Sequence, residues 1–160
     1  MNSEPQVLSD KERREVLDEI GHHPTKQASS VEVLKIVQKH HGWVSDEALA
    51  EAAELIGMPA AQLDSVATFF NLIYRRPVGR KVILLCDSVS CWMLGCDSIR
   101  KQLGERLGID YGETTEDGRF TLLPMVCLGT CDHAPAIMVG DDLHRDVTPE
   151  SLDRILEDAG

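Results

Sequence analysis

Five cysteines are the residues of this chain whose type and spacing could do chemistry, and all five lie after residue 85. Four form two close pairs: Cys86 and Cys91 are separated by four residues, and Cys127 and Cys131 by three. Thiolates are soft ligands for zinc or for iron–sulfur clusters, and a cluster takes four of them. The spacing leaves three interpretations open: an iron–sulfur cluster, which the wider loops favour, a zinc ion, or thiol redox chemistry without a metal.

The fifth cysteine, Cys96, is the one rival ligand. We expect it to begin a helix as a buried packing residue, because isolated free cysteines are among the most buried side chains. Neither cysteine pair has the C-x-x-C spacing of thiol–disulfide oxidoreductases, which weakens the thiol redox interpretation. Among the six histidines, His133 lies two residues after Cys131. Four cysteines already complete a ligand set, so we expect no ligand role for His133 and a solvated Asp132.

Each cysteine pair begins where an apolar strand is predicted to end. Residues 82–85 form an apolar run before Cys86, and residues 120–126 precede Cys127. In α/β sheets, ligands gather at the carboxyl ends of strands, so two neighbouring strands could bring the four sulfurs together. Gly95 and Gly129 in these loops permit unusual dihedral angles, and backbone N–H groups there can donate to sulfur.

The rest of the second half alternates helix and strand patterns. Apolar residues at 99, 103 and 107 predict a helix, and residues 116–118 predict a hairpin turn before the strand at 120–123. Residues 136–139 and 143–147 predict two further strands. Thr148 then begins a last helix that carries Leu152, Ile155 and Leu156. The order predicts helices packed on a mixed sheet, in an α/β or α+β architecture compatible with a thioredoxin-like core.

The first half predicts a bundle of four short amphipathic helices. Ser9 and Ser29 each precede a glutamate by three residues, the spacing of a capping box. Ser45 opens the third helix, and Pro59 suits the first turn of the fourth. The positions expected to be apolar and inward are 16, 17, 20, 33, 36, 37, 49, 52, 53, 56, 63, 66, 67 and 70. Three aromatic residues, Trp43, Phe69 and Phe70, are also expected in the core rather than at an interface.

A basic segment containing Pro77 and Gly79, at residues 75–81, separates the halves and predicts domains at 1–76 and 77–160. We expect this segment to be a solvated linker, and the alternative is that its charge meets an acidic partner surface. The net charge is −11, of which residues 81–160 carry −8, and this acidity excludes a typical nucleic-acid binder. Neither a secretory leader nor a transmembrane run is apparent, which predicts a cytosolic protein in which thiols stay reduced.

Several stretches together resemble one family. They are CDSVSCWMLG at residues 86–95, GETTEDGRF at 112–120, CLGTCDHAP at 127–135, GWV at 42–44 and VATFF at 66–70. The chain resembles the small iron–sulfur subunit of the NADH-dehydrogenase module of respiratory complex I, which is the E subunit in bacteria and the 24-kDa subunit in mitochondria. The resemblance covers nearly the whole chain.

This resemblance implies a helical N-terminal domain followed by a thioredoxin-like domain with one [2Fe–2S] cluster. It implies Cys86, Cys91, Cys127 and Cys131 as ligands and gives Cys96 no role. It further implies an electron-transfer subunit of NADH:quinone oxidoreductase, peripheral to the cytoplasmic side of the inner membrane. Its partners would be a flavoprotein subunit that binds FMN and NADH and a larger iron–sulfur subunit. The chain has neither a G-x-G-x-x-G nor a G-x-x-x-x-G-K-[ST] motif, which agrees with nucleotide binding elsewhere.

Two alternatives remain at this point. Within the family, the chain could be the diaphorase subunit of an NAD-linked hydrogenase or formate dehydrogenase. Outside it, a zinc ion could stabilise a helix-turn-helix regulator built on the third and fourth helices, although the acidic charge counts against DNA binding.

Overall fold

The computed structural model of the chain describes residues 8–159. Residues 1–7, for which no secretory leader is expected, and Gly160 lie outside the described part. Two compact units divide the chain between Pro77 and Val78. Among the described residues, no helix is long and apolar enough to span a membrane.

The first unit contains the four predicted helices. They are α1 (Asp10–Gly21), α2 (Ser30–His41), α3 (Asp46–Ile56) and α4 (Ala60–Phe69), with a 3₁₀ turn at Lys26–Ser29. The capping box at Ser9 is present: its hydroxyl accepts from the Glu12 N–H, and the Glu12 side chain accepts from the Ser9 N–H. The Ser45 hydroxyl accepts from the Ala48 N–H, so this start is also confirmed.

Two predicted helix starts differ from the structure. Ser29 does not cap α2, because the preceding 3₁₀ turn directs its hydroxyl to donate to the Lys26 carbonyl at 2.6 Å. Thr25 caps that turn instead, by accepting from the Ala28 N–H. Pro59 stands immediately before α4 rather than inside its first turn. Capping spacing in a sequence fixes the start of a helix only where no other turn precedes it.

The apolar stripes of the helices meet in one core. Its members include Val16, Ile20, Val33, Leu34, Val37, Leu49, Ala52, Ala53, Ile56, Leu63 and Ala67, with Ile36 and Val66 packed at its margin. Leu17 was expected inside but is 52% exposed, because it lies beside the stripe of Val16 and Ile20. The spacing of apolar residues therefore located the stripes but overestimated the width of the first one.

The core prediction for the phenylalanines is wrong. Phe69 is 79% exposed and Phe70 is 42% exposed. Their rings pack edge to face, with 5.6 Å between the ring centroids. Because α4 ends at Phe69, the backbone of Phe70 is extended and no longer continues the buried stripe of Leu63 and Ala67. Trp43 is half-buried.

The start of the basic segment is anchored rather than solvated. Arg75 lies 2.6 Å from an Asp46 carboxylate oxygen and 2.9 Å from one of Asp64, and it also donates to the Val44 carbonyl. Its neighbour Arg76 is exposed. The prediction of a solvated linker is therefore wrong for Arg75, because its guanidinium group binds side chains of α3 and α4.

The second unit contains a four-stranded mixed sheet with helices. Its elements are β1 (Lys81–Cys86), α5 (Val89–Met93), α6 (Cys96–Leu107), β2 (Phe120–Met125), β3 (Ile137–Val139), β4 (Asp142–His144) and α7 (Leu152–Asp158), with 3₁₀ turns at Cys131–His133 and Pro149–Ser151. The strand order is β2-β1-β3-β4. β1 runs parallel to β2 and antiparallel to β3, and β3 is antiparallel to β4. The mixed sheet is as predicted, whereas α5 was not predicted.

The apolar run of β1 explains its central place. Ile83 and Leu85 are fully buried and pack in the core with Ile99 and Leu103 of α6 and with Ile137 of β3. Val82 and Leu84 on the other face are also buried, so both faces of β1 are covered, as its continuous apolar run requires, and β2 and β3 pair with its two edges.

The predicted hairpin turn at residues 116–118 is confirmed, with β2 on its far side. Thr114 and Thr121 form an isolated antiparallel bridge across it, and Gly118 adopts a positive φ of 67°. The hairpin continues as the Thr115 N–H donates to the Phe120 carbonyl and the Gly112 N–H to the Leu122 carbonyl, both at 2.8 Å, and the other edge of β2 pairs with β1. Local turn chemistry predicted the bend but not the partner strand.

Candidate metal centre

Both cysteine loops leave the same edge of the sheet. Cys86 is the last residue of β1 and lies opposite Met125, the last residue of β2. Cys127 lies two residues after Met125. Because the two strands are parallel and end opposite each other, the two cysteine loops begin side by side at the same edge of the sheet. The prediction that each pair begins where a strand ends is confirmed by this topology.

The first loop brings Cys86 and Cys91 together through the short helix α5. Both cysteines are buried, and they are close enough to affect each other's pKa. The Sγ atom of Cys86 also lies 3.5 Å from the Oγ atom of Ser88. A single helical turn after the strand therefore folds the second thiol back toward the first.

The second loop brings Cys127 and Cys131 to 3.6 Å between their Sγ atoms, and both residues are exposed. Two ligands on a tetrahedral metal with bonds of ~2.3 Å stand ~3.8 Å apart, so this pair has the spacing that one metal requires. Gly129 has a φ of 77°, which side chains other than glycine rarely adopt, and its N–H donates to the Cys127 sulfur at 3.3 Å.

The two loops also contact each other. The N–H of Leu128 in the second loop donates to the Cys86 sulfur of the first loop. The Cys131 side chain lies within hydrogen-bonding reach of Ser88 and Ser90 in the first loop. Between residues 8 and 159, no three His, Cys, Asp or Glu side chains surround a single point. The sulfurs stand as two neighbouring pairs, and a two-iron cluster takes two protein ligands on each iron.

Burial and hydrogen bonding act in opposite directions on the first pair. Burial raises the pKa of Cys86, but hydrogen bonds from Ser88 and from the Leu128 N–H outweigh burial and hold that pKa below its ordinary value. Burial, followed by the hydrogen bond with Cys86, raises the pKa of Cys91. In the second pair, the contact with Cys127 raises the pKa of Cys131. Cys86 is thus the most readily ionised of these three thiols.

The remaining candidates are placed outside the two pairs. Cys96 begins α6 and is 3% exposed in the core of the sheet unit, as expected for a packing residue, and its burial raises its pKa. The Nδ1 atom of His133 lies 2.9 Å from an Asp146 carboxylate oxygen, and Asp132 is exposed. Gly95, which was expected to take an unusual conformation, has a φ of 97°.

Sequence reasoning missed two features of this site. One is the pair of hydroxyls at Ser88 and Ser90, although serines between two cysteines are a signal for donors to sulfur. The other is a set of apolar side chains near the thiols, each more than half exposed, which we call the α5 surface: Val89, Trp92, Met93, Leu94 and Val126. Four of them belong to or directly follow α5, the helix that was not predicted.

The family model for the thioredoxin-like [2Fe–2S] ferredoxins matches residues 16–160. The chain belongs to this family. The predicted fold class and the [2Fe–2S] cofactor are thereby confirmed. Because this family is one of [2Fe–2S] ferredoxins, the interpretations as a zinc site and as a zinc-stabilised regulator are wrong.

Two E subunits of NADH-quinone oxidoreductases are similar to this chain over almost their full length, which confirms the resemblance inferred from the motifs. The NADH-quinone oxidoreductase E subunit of Pseudomonas aeruginosa is 48% identical over 151 residues, which cover 94% of this chain and 91% of the relative. The protein of the same name in Escherichia coli is 46% identical over 160 residues, covering 98% and 96%. The chain is therefore a ferredoxin of the same type as these E subunits, built for electron transfer within a larger oxidoreductase.

Solved structures show the same fold. The H2-reduced NAD+-reducing [NiFe]-hydrogenase matches with a TM-score of 0.69 at 21% identity, over 82% of this chain and 22% of the hydrogenase chain. The air-oxidised form matches with a TM-score of 0.62 at 24% identity, over 71% and 20%. The chain thus spans about a fifth of each hydrogenase chain, and at this identity the likeness concerns the fold alone.

Proposed function

We propose that this chain is the electron-transferring E subunit of an NADH:quinone oxidoreductase and that Cys86, Cys91, Cys127 and Cys131 hold its [2Fe–2S] cluster. The observation that carries the proposal is the meeting of two thiol pairs on loops that leave adjacent parallel strands at one level. When bound, the cluster supplies one-electron chemistry. The similarity to the E subunits of Pseudomonas aeruginosa and Escherichia coli supports the assignment of the complex.

The chain's own groups supply the ligands and their hydrogen-bond donors. Four thiolates would hold the irons, and the N–H groups of Leu128 and Gly129 would donate to the sulfurs of Cys86 and Cys127. Such donors stabilise negative charge on sulfur and raise the reduction potential. The acidic excess of residues 81–160, with fifteen acidic against seven basic residues, acts in the opposite direction because negative charge disfavours an added electron.

We also propose a division of labour between residues 1–76 and residues 77–160. All four proposed ligands lie in the second domain, and the first contributes a separate helical core. The exposed Phe69, Phe70 and Leu72 at the end of α4 support an interaction role for the helical domain.

The partner at the cluster would be the flavoprotein subunit that binds NADH and FMN, and a larger iron–sulfur subunit would complete the module. Support comes from the α5 surface, since exposed apolar residues clustered in this way are typical of interaction sites. The exposed thiols of Cys127 and Cys131 lie in the loop that contributes Val126 to this surface. Through these partners, the chain would lie on the cytoplasmic side of the inner membrane.

The cluster is tested on the purified full-length chain. We expect a red-brown protein that contains near-equal iron and acid-labile sulfide, with two irons per chain, and a paramagnetic signal on reduction. Replacing any one of Cys86, Cys91, Cys127 or Cys131 by alanine should lower both contents. A colourless chain that binds one zinc ion would contradict the proposal.

The complex is tested by affinity isolation of the tagged chain from its native host. Co-isolation of a flavoprotein and membrane-embedded pump subunits supports NADH:quinone oxidoreductase. Hydrogenase or formate dehydrogenase subunits in their place would instead support the diaphorase role. Met93→Asp on the α5 surface should weaken capture of the flavoprotein, whereas Glu54→Gln, an exposed change in α3, should not.

A further inference from the structure

Ser88 occupies the N-cap position of α5 but does not act as a cap. Its backbone has the extended conformation of an N-cap, with φ of −61° and ψ of 163°, and its carbonyl accepts the first helical bond from the Trp92 N–H at 2.8 Å. Its side chain, however, makes no capping hydrogen bond. Ser9 and Ser45 at the starts of α1 and α3 both do.

The Ser88 hydroxyl is directed at the cysteine sulfurs instead. Its Oγ atom lies 3.5 Å from the Sγ atom of Cys86, and Cys91 and Cys131 are also nearby. Forgoing a cap costs helix stability of about 1 kcal/mol. A half-buried hydroxyl that leaves its capping position therefore needs a competing partner, and the sulfurs are the partners that the structure places beside it.

We propose that Ser88 is a positioning residue for the cluster: its hydroxyl donates to the Cys86 thiolate and raises the reduction potential. This inference rests on the proposed function. A thiolate bound to iron carries no hydrogen, so the hydroxyl must be the donor, and one hydroxyl donates to one sulfur at a time. Reduction adds negative charge, which a hydrogen bond to sulfur stabilises more in the reduced state than in the oxidised state.

The experiment compares an isosteric pair of variants in the full-length protein. Ser88→Thr keeps the hydroxyl, and Ser88→Val replaces that hydroxyl with a methyl group of similar size. Ser88→Ala gives the smallest change, and Ser98→Ala, an exposed serine in the first turn of α6, is the matched control. The measurements are iron and sulfide per chain and the midpoint potential from a redox titration followed by electron paramagnetic resonance.

We expect the valine and alanine variants to be harder to reduce, with an equilibrium constant for reduction about tenfold lower, which is about 59 mV for one electron. The threonine variant and the Ser98→Ala control should keep the wild-type midpoint. Loaded valine and alanine variants with the wild-type midpoint would overturn the inference, as would a threonine variant shifted as far as the valine one.

The experiment also tests the inference if some Ser88 variants lose the cluster. If the hydroxyl-free variants bind no iron while Ser88→Thr keeps the wild-type content and midpoint, the hydroxyl contact is supported. If Ser88→Thr loses the cluster as well, the shape of the residue matters rather than its hydroxyl, and the inference fails. A wild-type chain without a [2Fe–2S] cluster would overturn the proposed function itself, which distinguishes the two failures.

Discussion

Cys86 and Met125 lie opposite each other at the last position of the parallel ladder between β1 and β2. The Asp87 N–H extends this ladder by donating to the Met125 carbonyl at 3.0 Å. The ladder therefore holds the starts of the two cysteine loops side by side.

Cys96 is expected to be dispensable for the cluster. Cys96→Ala should keep the wild-type iron and sulfide content, because its side chain lies in the core of the sheet unit, and should lower the free energy of unfolding by about 1 kcal/mol. Metal analysis and urea denaturation would measure both effects. Cys91→Ala is the comparison and should lose iron; loss of iron in Cys96→Ala to the same extent would make Cys96 a ligand.

Gly129 is expected to be intolerant of a side chain for conformational reasons. A Cβ atom there meets no atom within 4 Å, but the φ of 77° makes Gly129→Ala cost about 1–2 kcal/mol. The variant should also retain less iron, since the N–H that reaches Cys127 would move. Gly21→Ala, at a helical glycine with open space, should be neutral or stabilising. Unchanged iron retention and stability in Gly129→Ala would show that the loop adapts.

Glu12 is expected to make the helical unit sensitive to acid. Burial raises the pKa of this carboxyl, but hydrogen bonds from Ser9 and the nearby His41, whose Nε2 lies 2.5 Å from Oε1, outweigh burial and lower it from 4.5. Because the folded-state pKa is the lower one, the ionised group stabilises the fold above about pH 4.5, and this contribution is lost as the pH falls through the folded-state pKa.

Glu12→Gln should therefore lower the free energy of unfolding at pH 7 by about 1–2 kcal/mol and flatten its decline on acidification. Urea denaturation followed by circular dichroism at pH 7 and at pH 4 would measure the difference. Glu54→Gln, an exposed carboxylate in α3, is the control and should follow the wild type at both values. Parallel curves for Glu12→Gln and the wild type would exclude this origin of acid sensitivity.

The stability of the helical unit is expected to depend on the guanidinium group of Arg75. Arg75→Lys keeps the charge but cannot contact Asp46, Asp64 and the Val44 carbonyl at once, so unfolding should become easier by about 1–2 kcal/mol. Arg76→Lys changes an exposed neighbour and should stay within about 0.5 kcal/mol of the wild type. Thermal or urea denaturation of the two variants side by side gives the measurement. Equal effects would mean that the Arg75 contacts contribute nothing beyond surface charge.

The cluster is expected to have a low reduction potential. The four proposed thiolate ligands and the net charge of −8 in residues 81–160 both oppose the addition of an electron. We therefore expect a midpoint in the direction of the roughly −400 mV of plant-type ferredoxins. A midpoint in the Rieske range would show that hydrogen bonds to sulfur outweigh the acidic field.

The sequence determined the local features of this protein. The local features are the spacing of the two cysteine pairs, the apolar run before Cys86, and the helix starts at Ser9 and Ser45. Each is set by neighbouring residues and was predictable. These features depend on backbone periodicity and short-range hydrogen bonds, which a single sequence displays directly.

Only the tertiary structure decided the features that depend on residues distant in the chain. The pairing of β2 with β1, the approach of Leu128 to Cys86 and the contacts of Arg75 join segments tens of residues apart. The exposure of Phe69 likewise depends on where α4 ends and which side faces the core. An apolar residue favours burial, but its packed neighbours decide whether it is buried. The direction of the Ser88 hydroxyl toward sulfur also depends on the folded loop, so the spacing of the cysteines did not reveal it.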